Sequence, residues 1–197
     1  MEIVMRYNSP KRPQILAYAV VLCAMLFASC RQPSQPTEEL EDVLPNVVTL
    51  TLTESGTTTR STATWRSTSD KPDPAARITI DTLRLTAGRT YTGIIEARND
   101  LKTPAVNLNE DYQRLANEHQ FFYTVSGAAS GRVTVTITDR DGNGLPLGLQ
   151  YTLAVSAGEA STGALNVVLG HFDDVKKDGR TRSPESDIDI TFPIVIR

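Results

Sequence analysis

The sequence predicts an all-β protein: an immunoglobulin-like or Greek-key β-sandwich of eight or nine strands, with one short helix over residues 109–119. Three observations carry that expectation. From Asn46 onward the apolar residues recur with period two, as they do in strands that bury one face. The alternating runs are joined by short connections rich in Gly, Asp and Pro. No strand–helix–strand alternation occurs, which argues against a parallel α/β sheet.

Taken in order, Val48, Leu50 and Leu52 alternate with threonines, and Thr57–Ser67 continues the pattern around the single tryptophan, Trp65. A polar loop over residues 67–76 follows. Ile78 and Ile80, then Leu83 and Leu85, read as the next strand, and Tyr91–Ala97 as another after the turn at Ala87-Gly88-Arg89. The period then changes. Tyr112, Leu115, Ala116 and His119 fall on one face of an amphipathic helix, with Asn109 as its expected cap and acids at Glu110 and Asp111 in the first turn. Strands resume at Phe121–Ser126, Arg132–Asp139, Leu149–Val155 and Gly163–His171. The last runs through Ile188, Ile190, Phe192, Ile194 and Ile196, and Pro193, on its other face, predicts a free edge there.

The N-terminus reads as an address. Arg6, Lys11 and Arg12 precede an apolar stretch, Ile15–Phe27, of thirteen residues, too short to span a membrane comfortably. It ends in Leu26-Phe27-Ala28-Ser29-Cys30, which resembles the lipobox of bacterial lipoproteins, whose cysteine is acylated, for example with palmitate, and becomes the new N-terminus. The expected organisation is a signal peptide over residues 1–29, an acidic, proline-containing tether over residues 30–45, and a single β-sandwich domain over residues 46–197. Without residues 1–29 the chain keeps 17 basic against 22 acidic side chains, a balance that argues against nucleic acid as a partner. Cys23 leaves with the signal and Cys30 is consumed by lipid, so the domain has no disulfide and depends on its core.

Several short stretches carry a family likeness: Tyr91-Thr-Gly93, Thr103-Pro104, Glu118-His119-Gln120-Phe121, Asp139-Arg-Asp141, Pro146-Leu-Gly148-Leu149, Leu169-Gly-His171 and Glu185-Ser-Asp187-Ile-Asp189. Over roughly residues 46–197 the chain resembles a family of uncharacterised Bacteroidota lipoproteins. Members are sometimes labelled as a type 1 periplasmic binding fold superfamily, a label that implies alternating α/β lobes. The strand pattern implies otherwise. The resemblance strengthens the envelope address and brings no established activity.

Chemistry is expected from the two histidines, the only ones in the chain. His119 ends the helix stripe and His171 ends the apolar face of its strand, so both belong where the core meets one rim of the sandwich. If the last two strands pair as a hairpin, Glu185–Asp187 comes back alongside His171. Imidazoles and carboxylates together suit zinc or another divalent transition metal, with His119, His171, Glu118, Glu185 and Asp187 as candidate ligands. The bland reading is that both histidines are satisfied, partly buried packing residues. Asp139-Arg-Asp141-Gly-Asn143-Gly144 matches the opening of a calcium loop, but Gln150 stands where a bidentate glutamate is needed, so a β-turn is the expectation. Lys176, Lys177, Arg180 and Arg182 read as a mobile basic loop. No nucleophile elbow, Walker loop or mature thiol is present.

The functional expectation is a non-enzymatic cell-envelope lipoprotein, anchored to the outer membrane through Cys30, that binds a small ligand, metal or partner protein at the sandwich rim. An accessory role in outer-membrane metal uptake, with a transporter or another envelope protein as partner, is its sharper form. The alternatives are a structural or adhesion module with core histidines, and a hydrolase built on loop carboxylates.

Overall fold

The computed structural model describes residues 43–197. The signal segment, the Cys30 lipidation site and the tether as far as Asp42 lie outside the described residues. Within them the chain is an all-β sandwich of two sheets, eleven strands and one short helix. No helix among the described residues is long and apolar enough to cross a membrane.

The first sheet contains β1 (Val47–Glu54), β2 (Arg60–Ser67), β3 (Ile78–Ile80), β5 (Thr90–Asn99), β6 (Val106–Asn107), β8 (Val133–Ile137) and β9 (Gln150–Val155). Its order is β3-β2-β1-β5-β9-β8, with β6 added at the end of β5. The second contains β4 (Leu83–Leu85), β7 (His119–Gly127), β10 (Ser161–His171) and β11 (Glu185–Ile196), ordered β4-β11-β10-β7. All pairs are antiparallel except β4 with β11. The helix α1 (Asn109–Arg114) bridges β6 and β7.

Period two produces this directly, because alternate side chains leave opposite faces of a strand. β5 alternates exposed and buried along its whole length, and Ile188, Ile190, Phe192, Ile194 and Ile196 of β11 are all buried. These rows meet Leu50, Leu52, Leu153 and Leu165 in one core between the sheets. The alternating α/β lobes implied by the family label are not the architecture: among the described residues α1 has six residues and everything else regular is strand.

Two strands more than expected arise from local breaks. The run over residues 78–85 divides at Asp81-Thr82: Asp81 binds back to both backbone groups of Thr64, and the chain then crosses to the second sheet as β4. The two-residue β6 is the other addition. Pro193 sits one residue before the β4–β11 pairing begins at Ile194, so the edge of β11 ahead of it is free of β4, as its missing N–H predicts.

The helix is shorter than its stripe. α1 stops at Arg114, Leu115 is its C-cap, and His119 is the first residue of β7. Asn109 does not cap it. Leu108 holds the cap position without a side-chain bond, while the Asn109 amide accepts from Ala97 N–H and donates to Ile95 C=O, mimicking a strand beside β5.

The domain also begins earlier than the sequence suggests. Val43 packs on the core, Pro45 is buried, and Leu44 C=O accepts from Asn99 Nδ2 at 2.8 Å. Val43–Pro45 therefore belong to the fold and not to the tether.

Close packing is tightest where Tyr151 lies across Gly93, its directly paired neighbour on β5. A Cβ at Gly93 would sit 2.2 Å from the buried Tyr151 ring, which has no room to retreat. Gly93→Ala is expected to lower stability by roughly 1–3 kcal/mol in urea unfolding, and Gly93→Ala combined with Tyr151→Leu to recover part of that loss. An alanine variant as stable as the parent would contradict this packing.

Candidate metal centre

Three adjacent strands of the second sheet each deliver one side chain to the same rim. His119 opens β7 and is directly paired with His171, which closes β10. Directly opposed residues on antiparallel strands share a face with Cβ atoms about 5 Å apart. The imidazoles accordingly stack, with centroids 4.7 Å apart and planes 19° from parallel. β11 supplies the third group through an irregularity. Leu169 pairs with Ile188 but Gly170 pairs with Ser186, so Asp187 is an extra residue in a β-bulge. Strict alternation would turn Asp187 away from the face of Ile188; a bulge re-aims the side chain.

The Asp187 carboxylate consequently faces one ring nitrogen of each stacked imidazole. Oδ2 is 3.3 Å from His119 Nε2 and Oδ1 is 3.6 Å from His171 Nδ1. The ligand atoms of these three residues all fall within 4.8 Å of one another. Tetrahedral bonds of about 2.05 Å to one ion separate two ligand atoms by roughly 3.3 Å, so the side chains must draw in and the stacked rings must turn before the set closes on a metal.

The polarity of the His119 ring is fixed by its other nitrogen. Nδ1 lies 3.1 Å from Leu115 C=O, and a carbonyl only accepts, so Nδ1 carries the hydrogen. In the neutral ring Nε2 then presents a lone pair to a carboxylate oxygen, acceptor against acceptor. A cation or a proton between them removes that conflict. A ring whose N–H is held by a backbone carbonyl keeps its other nitrogen as the one able to ligate a metal.

The surroundings keep the site small. Val43, Leu44, Leu108, Tyr112 and Leu115 enclose the three groups together with Asp111 and Arg114, leaving a cavity of about 20 Å³. That volume holds a single water or a bare ion, whereas organic ligands need several hundred Å³. Tyr112 is buried against His119 with ring centroids 5.3 Å apart. Burial, reinforced by the charges of Asp187 and Asp111, pushes its phenol far above the ordinary range, so it stays neutral and is a packing group here.

Of the five candidate ligands, His119, His171 and Asp187 converge, and two do not. Glu118 precedes His119 by one residue at the start of β7; it is outside the group, although its backbone C=O accepts from Phe172 N–H. Glu185 is paired with His171 in register but is exposed and also outside the group. The calcium-loop carboxylates are engaged otherwise. Asp141 Oδ1 accepts from the amides of Asn143 and Leu145, and Asp139 Oδ1 accepts from Gly148 N–H, which makes this stretch a β-turn held by its own backbone.

The loop read as mobile and basic is anchored. The Lys177 ammonium is buried and donates to Asp141 Oδ2 at 2.9 Å and to the carbonyls of Ala116 and His119 at 2.8 Å each. This explains the short helix, because the Ala116 carbonyl serves the ammonium and not another helical turn. Arg182 reaches across to Thr124 on the outer face of the second sheet. Nothing in the local sequence distinguishes Lys177 from Lys176, which is exposed.

No family model, curated protein or solved structure matches this chain.

Burial pushes the Asp141 carboxyl up, but the bond to Lys177, the two turn amides and the charge of Lys177 outweigh it and hold it below the ordinary 3.8. A depressed carboxyl contributes stability above its unfolded value and loses it as pH falls through the folded one. Asp141→Asn is expected to cost roughly 3–5 kcal/mol at pH 7, since it strands a buried ammonium. The gap to the parent should narrow as the pH falls below 3.8. A gap constant from pH 7 to pH 2.5, followed by urea unfolding, would rule out this linkage.

Proposed function

We propose that this chain is a non-enzymatic, lipid-anchored protein of the cell envelope that binds a divalent transition-metal ion, zinc foremost, at the sandwich rim through His119, His171 and Asp187. The observation that carries the reading is the convergence of His119 Nε2, held 3.3 Å from the Asp187 carboxylate, and the His171 ring stacked alongside, at an ion-sized cavity. Two imidazoles and one carboxylate, without a thiolate or thioether, suit zinc and its neighbours better than calcium or magnesium.

Three protein ligands leave a coordination position open. An open position suits a protein that acquires an ion and passes it on, which favours an accessory to outer-membrane metal uptake handing its ion to a transporter or another envelope protein. The envelope address rests on the basic, apolar and Leu26–Cys30 succession of the N-terminus and on the likeness to Bacteroidota lipoproteins. The small cavity supports a binding protein over a hydrolase, because a glycan does not fit where these side chains converge.

A structural role for the histidines is the competing reading, favoured by the burial of His119 against Tyr112. Calorimetric titration of the full chain in detergent with zinc separates the two. One ion per chain is expected for the parent, no measurable heat for the variant carrying His119→Ala and His171→Ala, and affinity weaker by roughly tenfold or more for Asp187→Asn. Equal heats for parent and double variant would sink the metal reading.

A further inference from the structure

The wall of the metal cavity holds one charged pair that the three-ligand set leaves unused. Asp111 and Arg114 sit one turn apart on α1, joined by a 2.9 Å bond from the guanidinium to Asp111 Oδ1. Both line the same cavity as His119, His171 and Asp187. Their exposure differs: the Asp111 side chain is 16% accessible and the Arg114 side chain 58%. The carboxylate is therefore the inward member of the pair and the guanidinium the outward one.

We propose that Asp111 is the capture carboxylate of this metal centre and that Arg114 is the resident cation which an incoming divalent ion displaces. The inference rests on the metal-site reading and names how that site is loaded. With neutral imidazoles, the cavity wall carries two carboxylates, Asp111 and Asp187, against one guanidinium. A divalent ion balances the two carboxylates by itself, which leaves Arg114 as surplus positive charge beside it. Arg114 then swings to solvent, where its long side chain is already largely exposed. In the metal-free protein the same guanidinium neutralises Asp111 and opposes the approach of a cation. Asp111 also acts on the shared interior, since its charge and that of Asp187 both bear on the phenol of Tyr112.

Arg114 thus sets a threshold: an ion must outcompete a tethered cation for Asp111 before it reaches the histidines. Monovalent ions carry too little charge to replace it, and a divalent ion gains both carboxylates. The arrangement makes loading depend on ion charge at the mouth, while the imidazoles select the element within.

Stopped-flow mixing of the full chain in detergent with zinc, read with a chromophoric chelator, tests this. Arg114→Gln is expected to raise the association rate and tighten binding by about 3–10-fold at low salt, and Asp111→Asn to reduce both by a similar factor. Arg114→Lys should behave as the parent, and all differences should shrink in about 0.5 M salt, where screening shortens the reach of exposed charge. A purely structural pair would lower stability without a salt-dependent rate. Zinc binding by the parent that is unchanged in Arg114→Gln and Asp111→Asn would overturn the capture role and leave the three-ligand site standing. A parent that takes no zinc would overturn both.

Discussion

The rim of this sandwich depends on a register shift between β10 and β11. β10 runs into the rim with Leu169 and His171 on one face, and β11 leaves it with Ile188 on that same face. Were the two strands in unbroken register, Asp187 would be carried to the opposite face by the two-residue period. The added residue lets Asp187 and Ile188 serve the same side, one as carboxylate and one as core. The long β10–β11 pairing, eleven residue pairs in all, holds the bulge in place. The second requirement is the pairing of His119 with His171, which converts two distant sequence positions into neighbouring rings. Neither condition alone makes a three-residue site.

Around that rung, most features of this end of the domain fix His119. Its ring is held from below by Leu115 C=O and from the side by Tyr112, and its backbone carbonyl is bound by the buried ammonium of Lys177. The ammonium has three partners and Asp141 has its own turn amides, so the buried charges are fully hydrogen-bonded. On the opposite side, Asn99 ties Leu44 down and Asn46 binds Ser67 C=O and Asp100 N–H, which seats the first residues of the domain over the cavity. A small, enclosed volume strengthens every electrostatic interaction inside it. The same enclosure leaves about 20 Å³ at the three side chains, room for an ion or a single water.

Much of this was legible in the sequence, and the limits are physical. Period two and turn chemistry located all the long strands, because those depend on local alternation. A helix stripe ending at His119 and a strand face ending at His171 placed both at a common rim, although His119 opens β7 and does not close a helix. The hairpin closing near Glu185–Asp187 could also be inferred, but alternation cannot say which of the three residues faces inward when a bulge intervenes. Glu118 was a candidate only by proximity to His119, and it belongs to the turn that closes on Leu115 before β7 begins. Lys177 was indistinguishable from its neighbours because its burial follows from a tertiary partner 36 positions away. The helix stripe had the right periodicity over residues 112–119, and strand pairing with His171 together with the Lys177 bonds prevailed over its last turn. Asp111 showed itself only as an acid in a first helical turn, a position that ordinarily complements the helix dipole.

The central claim is that His119, His171 and Asp187 form one metal centre, and the most direct measurement is the X-ray absorption fine structure of the zinc-loaded protein at the zinc edge. The account predicts a nearest shell of nitrogen and oxygen at about 2.0–2.1 Å, with the outer-shell scattering of two imidazoles and no sulfur. In the Asp187→Asn variant the two imidazoles should remain. A nearest shell of oxygen alone, without imidazole scattering, would contradict it.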